Sequence, residues 1–422
     1  MPSLAPQTPL LWRKAVAVAT SRLFSDLAVF CASEAVVKAT RLLLVIALAR
    51  TLDAAAIGFV ATALAVSEVL KALTQNGVGQ RIIAARAEEL ASVAKAAHRL
   101  FWLWCGGLFL LQTAIAGIFW VAGADEVTAL MILVLGVEYL FMPGGLVQAF
   151  LAQRDGKLKA TAAIGGAQIG VSNLAAAALL LVWPSPMAAV LPKAASSLIW
   201  LIAMRRLRPW RACRTARPVG LTHFTKFGAA VLGVELVNAL RLQADKLIIG
   251  GVMGAEALGV WFFAISAGLG LANALSVGFA QVVFPHFCRA KDEASALREC
   301  LTLAIAVLAP AVAAQALLAP FYVPLIFGAG WAGVADLVAL LCLAAIPSVI
   351  WTAAAQWLRA ADRAGEEIRR TAAVAALTLT ALTVAAPFGL MAAASAYVAA
   401  AVVGLVAMSI AVALPVLRKG GA

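Results

Sequence analysis

Glu34, Lys38 and Arg41 interrupt an otherwise apolar run, ASEAVVKATRLLLVIALAR, at residues 32–50. At about 100° per residue these three side chains fall within roughly 60° of one another on one helix face. A second run, FGAAVLGVELVNALRLQADKLIIGG at 227–251, sets Glu235, Asn238, Arg241 and Asp245 on an arc of about 120°. Glu68, Lys71, Gln75 and Asn76 add polar groups to the stretch 55–77, and Glu138 stands five residues before Pro143-Gly144-Gly145. The stretch 256–283 offers only Asn273 and Gln281.

Each charge at the centre of a bilayer costs about 2.5–3.5 kcal/mol on insertion scales, so three on one helix would cost about 8–10 kcal/mol if they faced lipid. They must therefore face protein or water. The simplest arrangement is local: Glu34 and Lys38 form an i, i+4 pair in the favourable order, and Lys71 and Lys246 snorkel to the two interfaces. That leaves Arg41 unpaired and does not explain the charges of 227–251. A hydrated cavity shared by the two runs accounts for both, with ion pairs that merely lock helices together as the competing arrangement.

The elements that carry these residues follow from composition. Of 422 residues 64% are hydrophobic and 13% charged, and the mean hydropathy is +0.97, the profile of an all-α integral membrane protein. Apolar runs of roughly 20 residues predict about twelve transmembrane helices, near 25–49, 55–77, 100–122, 127–151, 160–182, 187–204, 227–250, 256–283, 300–325, 334–357, 371–388 and 391–416. Most of the 33 basic residues then fall on alternate ends of the spans, in clusters such as Arg81 to Arg99, Arg205 to Lys226 and Arg359 to Arg370. The positive-inside rule puts both termini in the cytoplasm. The net charge of +13 is thus read as topology, with attraction to anionic membrane lipids as a secondary effect and no nucleic acid as partner.

The expected organisation is a cytoplasmic N-terminal segment at 1–22, an N-lobe of six spans at 23–204, a basic linker at 205–226, a C-lobe of six spans at 227–417 and a cytoplasmic tail at 418–422. Residues 1–22 lack the pattern of a cleavable signal peptide. Cys31, Cys105, Cys213, Cys288, Cys300 and Cys342 are scattered, so no disulfide framework or metal site is expected, and no phosphate-loop motif points to a nucleotide. We expect no cofactor. The short turns leave no room for an active site outside the bundle, so an enzyme is not expected.

The second half echoes the first. At an offset of 201 residues Gly58 falls on Gly259, Ala63 on Ala264, Leu70 on Leu271, Gly77 on Gly278, Gln80 on Gln281 and Glu34 on Glu235, while 148–163 resembles 356–373. With six spans per half, the two halves share an orientation, the parallel internal repeat of many transporters.

The runs LARTLDAAAIGFVATALAVSEVLKALTQNGVGQRII (48–83) and QADKLIIGGVMGAEALGVWFFAISAGLGLANALSVGFAQVVFPHFCRA (243–290) resemble the signature regions of bacterial polysaccharide-unit (Wzx-type) flippases. Asp245-Lys246, the turn from Gly254 to Gly259 and Phe284-Pro285 carry the likeness. These flippases belong to the multidrug/oligosaccharidyl-lipid/polysaccharide (MOP) exporter superfamily. The resemblance implies two six-helix lobes, as in MATE-type transporters, with the first, second, seventh and eighth helices lining a cationic cavity. It implies an undecaprenyl-pyrophosphate-linked oligosaccharide as substrate, flipped across the bacterial inner membrane by alternating access for O-antigen, capsule or exopolysaccharide assembly, alongside other polysaccharide assembly proteins. By position, Lys38, Arg41 and Arg241 would bind the diphosphate. Glu34, Glu68, Glu138, Glu235 and Asp245 are the candidates for coupling to a proton or sodium ion, and Lys71, Gln75, Asn76, Asn238 and Asn273 the further polar groups of the cavity. The uncharged eighth span weakens any claim for a strongly basic C-lobe. A MATE-type drug/cation antiporter is the alternative, and a membrane-embedded lipid-sugar enzyme or a non-transporting scaffold come after it.

Overall fold

A computed structural model describes residues 38–123, 125–211, 218–220, 222–290 and 292–419. Among them the chain is helical throughout apart from short turns. Nine helices are long and apolar enough to cross a membrane, or ten if the bent pair Glu126–Phe141 and Pro143–Arg154 is one span. The protein is therefore a multi-pass membrane protein, and the count of twelve remains a proposal. The described residues form two compact units, 43–262 and 263–419 with 38–42. A lobe boundary at 205–226 likewise stays a proposal.

The helix at 38–51 (α1), which belongs to the first unit from residue 43 onward, leads into α2 (Ala54–Ala72). Asp53 caps α2, its carboxylate accepting from the Ala56 N–H at 2.8 Å. The Trp104 indole donates to the Leu73 carbonyl just past the other end of α2, at 2.8 Å. The helix stops there because Gly77 takes a φ of 74° and Asn76 accepts from the Val78 N–H, starting the short α3 (Val78–Ala84). The span expected over 55–77 therefore ends at Ala72. Arg154 Nη1 closes the other end of α3 by donating to the carbonyls of Ile82, Ile83 and Ala85.

The long α4 (Leu90–Val121) packs on this group, and Ile82, Phe101, Tyr139 and Val147 form the buried core with it. The next span is broken twice, into α5 (Glu126–Gly136), α6 (Glu138–Phe141) and α7 (Pro143–Arg154). The bend into α7 is 54°, the kink expected of Pro143-Gly144-Gly145. The glycines also admit partners from α9 (Pro186–Leu207), which pairs with α8 (Leu158–Val182). A Cβ on Gly144 would stand 2.8 Å from the Arg205 guanidinium, and one on Gly145 would stand 2.8 Å from the Trp200 ring. Arg205 Nε donates to the Gly144 carbonyl at 3.0 Å, a second tie on the bend.

The helix α10 (Thr222–Arg289) is two helices joined at Gly254, whose φ of 85° and ψ of −178° only glycine adopts readily. The part after the break crosses α2 at backbone contact. A Cβ on Gly259 would lie 1.7 Å from the Ala54 carbonyl oxygen, and a Cβ on Gly58 would lie 1.9 Å from that of Ala255. Ala54 and Ala255 are themselves 201 residues apart, as Gly58 and Gly259 are. The contact is thus reciprocal, Ala-x-x-x-Gly against Ala-x-x-x-Gly, the small residues letting the two backbones approach.

The second unit continues from Phe263 through α11 (Glu293–Leu303), α12 (Ala309–Tyr322), α13 (Ala335–Leu343), α14 (Ala345–Ala360), α15 (Ala364–Ala385) and α16 (Leu390–Lys419). Its core joins Phe279, Val283, Leu297, Val349 and Leu358, while Phe263 stacks on Trp331 with ring centroids 4.0 Å apart. A turn at Ala344 separates α13 from α14 within one continuous apolar stretch. Gln148 and Gln356, matched in the sequence repeat, are both buried. Arg359 grips Glu367 with two bonds of 2.6 and 2.7 Å, and Glu366 is held by Arg363 and Arg370, pinning α15 to the turn before it.

Candidate functional site

Four side chains of alternating charge meet inside the first unit. Lys193 Nζ of α9 lies 2.5 Å from Glu68 Oε1 of α2, and Lys71 Nζ of α2 lies 3.0 Å from Glu138 Oε2 of α6. Glu68 and Lys71 are three residues apart and share a helix face, so the order Lys193, Glu68, Lys71, Glu138 runs across three helices. The Glu68 end is open, with the side chain 42% exposed, and the Glu138 end is closed, at 3%. Open ion pairs contribute little to stability, whereas removing one partner of a buried pair is costly. Glu138 Oε1 and the hydroxyl of Tyr139 have no hydrogen-bond partner among the described residues. The charges of Glu138 and Glu68 both reach Tyr139, and that of Glu138 reaches Cys105 on α4.

Lys71 therefore does not run to the interface as expected; Glu138, 67 residues away, draws it inward. Lys193 was not singled out in the sequence, although a lone lysine following Pro192 in an apolar span requires a partner on another helix.

The second constellation spans the break in α10. Asp245 is buried, and its Oδ2 accepts from the Trp261 indole at 2.9 Å. Lys246 approaches Oδ1 at 3.5 Å and donates to the Leu242 carbonyl at 3.2 Å. Asp245 thus ties together the two helices joined at Gly254. A cavity of about 380 Å³ beside them is lined by Phe59, Phe119, Thr128, Leu258, Asp125 and Lys246. That volume fits one small ligand rather than an oligosaccharide with its lipid.

The remaining expected residues are placed as follows. On α1, Lys38 is half-buried and Arg41 exposed, while Glu34 lies outside the described residues. Glu235 is half-buried on α10; the side chains of Asn238, Arg241 and Asn273 on the same element lie outside the described residues. Gln75 is exposed in the turn after α2, and Asn76 is buried in that turn, accepting from the Val78 N–H, so neither stands on the α2 wall. Among the described residues no group of three or more His, Cys, Asp or Glu could hold a metal ion.

Residues 47–336 match the model of a family described as polysaccharide biosynthesis protein. The chain belongs to this family. It is 23% identical over 321 residues to the lipopolysaccharide biosynthesis protein WzxC of Escherichia coli (strain K12), covering 70% of this chain and 61% of WzxC. It is 28% identical over 149 residues to the teichuronic acid biosynthesis protein TuaB of Bacillus subtilis (strain 168), covering 34% of this chain and 31% of TuaB. The match thus spans less than two thirds of either relative. The fold is that of the lipid II flippase MurJ in an inward closed conformation, with TM-score 0.71, 10% identity and coverage of 93% of this chain and 90% of that one. It is equally that of an inward-facing multidrug resistance MATE family transporter of the MOP superfamily, with TM-score 0.69, 14% identity and coverage of 91% and 96%.

Proposed function

We propose that this protein flips an undecaprenyl-pyrophosphate-linked oligosaccharide repeat unit from the cytoplasmic to the periplasmic leaflet of the bacterial inner membrane, with both termini in the cytoplasm. The observation that carries the proposal is the charged chain from Lys193 to Glu138 held within apolar helices, in a member of a polysaccharide biosynthesis family. A membrane protein keeps such charges inside when an ionic or hydrated group must pass or be sensed. The anionic, hydrated head of a lipid-linked sugar cannot cross about 30 Å of hydrocarbon unaided, while its prenyl tail can stay in lipid.

In this reading Lys38, Arg41 and Arg241 hold the diphosphate, and Lys71, Asn238 and Asn273 are further polar groups of the cavity. Arginine suits the first task because its planar fork meets two phosphate oxygens at once. Glu34, Glu68, Glu138, Glu235 and Asp245 are the groups that couple movement to a proton or sodium gradient. One elementary charge crossing 100 mV is worth about 2.3 kcal/mol, enough to bias states that differ by a few. Other polysaccharide assembly proteins would supply and consume the unit. The likeness to a multidrug transporter favours a drug/cation antiporter as the second reading.

The test is a deletion strain. A lipid-linked glycan accumulating on the cytoplasmic side, relieved by the wild-type gene, supports the flippase. Unchanged glycolipids with heightened sensitivity to cationic drugs support the antiporter instead.

A further inference from the structure

We infer that a cavity at one end of the second unit holds the headgroup of a zwitterionic membrane phospholipid, recognised by its phosphate and its primary ammonium, the chemistry of phosphatidylethanolamine. The inference concerns a resident lipid rather than the transported molecule. From the proposed function it takes only the orientation, which makes the lipid one of the cytoplasmic leaflet.

The cavity, of about 510 Å³, has walls of opposite charge. One wall is the start of α11, where Asp292 and Glu293 follow one another. Asp292 Oδ1 accepts from the Ala294 N–H at 3.0 Å, which fixes that carboxylate. The other wall is the turn from α14 to α15, with Arg363 and Glu366. Arg363 and Arg370 together hold Glu366, and the Arg363 guanidinium lies over the Trp357 ring, 5.7 Å from its centroid. A guanidinium carries five N–H donors. One positioned by a carboxylate and an aromatic face has little freedom left to lose when its other donors meet a phosphate.

Such a cavity suits neither an anion nor a cation alone. An anion would meet Asp292 and Glu293, and a cation would meet Arg363. A zwitterion answers both walls, its phosphate on Arg363 and its positive group on the two carboxylates. A primary ammonium donates three hydrogen bonds there, whereas a trimethylammonium donates none.

The third wall makes the zwitterion a lipid. Ala411 and Pro415 of α16 line the cavity, and Val403, Ala407, Ala411 and Pro415, at four-residue spacing, form one exposed ridge that runs into it. The ridge climbs about 18 Å at 1.5 Å per residue. That is close to half of the roughly 30 Å hydrocarbon core, the depth of one leaflet. An acyl chain lying on the ridge therefore brings its headgroup to the cavity, a track that a soluble zwitterion would not use.

The experiment mixes purified full-length protein in detergent with dioleoyl phosphatidylethanolamine, phosphatidylcholine or phosphatidylglycerol, and reads bound lipid by native mass spectrometry with no glycolipid present. The wild type should hold phosphatidylethanolamine about tenfold to a hundredfold more tightly than phosphatidylcholine, the range expected for hydrogen bonds to charged groups. It should also prefer it to phosphatidylglycerol, which brings a phosphate but no ammonium. Asp292→Asn/Glu293→Gln, which keeps a capping side chain at 292, should erase the preference and leave phosphatidylcholine binding unchanged. Arg363→Gln should weaken all three lipids, and Arg363→Lys should restore binding in part. Ala411→Trp fills the cavity from an exposed position with every charge retained, and should lose the preference too. Equal binding of phosphatidylethanolamine and phosphatidylcholine by the wild type overturns the inference, as does tighter binding of phosphatidylglycerol. Survival of the preference in the acidic double variant or in Ala411→Trp overturns it as well. Displacement of the lipid by an equal concentration of O-phosphoethanolamine would overturn it in favour of a soluble ligand. Failure here leaves the transport reading standing, and failure of the deletion-strain test leaves the lipid site standing.

Discussion

Adding one methyl group at Gly259 tests the crossing of α2 and α10 directly. In Gly259→Ala the new Cβ would stand 1.7 Å from the Ala54 carbonyl oxygen and 2.9 Å from the Gly58 nitrogen, both backbone atoms that no rotamer change can withdraw. Restoring an ordinary contact requires the helices to separate by about 1.5 Å, which forfeits much of the dispersion energy along the crossing. Overpacking of this kind costs about 1–3 kcal/mol and sometimes more. Gly58→Ala should cost a similar amount, since its Cβ would meet the Ala255 oxygen at 1.9 Å. The double variant should lose clearly less than the sum, because helices already parted by the first methyl accommodate the second. Gly107→Ala is the control: nothing lies within 4 Å of its Cβ, and in mid-helix alanine is favoured by about 0.5–1 kcal/mol.

Cysteine labelling is a suitable assay because detergent-solubilised membrane proteins often unfold irreversibly, so a rate is the meaningful quantity. Cys105 is buried in the first unit, and in a variant retaining it as the sole cysteine its reaction with a maleimide reports opening of that unit. The labelling rate should rise roughly fivefold to a hundredfold in Gly58→Ala and Gly259→Ala, since about 1.4 kcal/mol is a factor of ten, and should not rise in Gly107→Ala. Equal rates in Gly259→Ala and Gly107→Ala would refute the close crossing. Strict additivity in the double variant would refute its reciprocity.

Two further outcomes follow from named contacts and a third from the proposed function. Trp261→Phe keeps the packing but removes the 2.9 Å bond to Asp245, and should lower stability by about 1.5–3 kcal/mol, measured by thermal unfolding in the same detergent. Gly145→Ala, which meets the Trp200 ring, should destabilise more than Gly144→Ala, which meets the end of the flexible Arg205 side chain; thermal midpoints of the pair check the order. Arg41→Gln and Arg241→Gln should each abolish most glycolipid flipping while leaving membrane insertion intact, since removing a charge eases insertion, and Arg→Lys should restore flipping only in part.

The helical fold was legible because a lipid-exposed backbone must satisfy its own hydrogen bonds, which turns apolar runs into helices. The same economy hid their ends. Hydropathy carried the second span to residue 77, whereas Asn76 and Gly77 are a turn pair whose cap on Val78 stops the helix five residues earlier. A window average cannot see a hydrogen bond, although the Asn-Gly pair itself announced the turn.

The charged chain was half legible for a different reason. Glu68, Lys71 and Glu138 stood out as charges in the wrong solvent, but their pairing joins positions 67 and 125 residues apart, and helix periodicity says nothing about which faces meet. Lys193 shows what would have sharpened the reading. A charge inside a span is a demand for an opposite charge elsewhere, and Lys193 and Glu68 are two such demands that cancel only when the helices are assembled. The glycines make the same point from packing. Gly58 and Gly259 were visible as repeat-related positions, yet the repeat alone does not say that the matched residues touch. Their mutual contact is a matter of packing, since an Ala-x-x-x-Gly face brings two backbones this close only where it meets another face as small as itself.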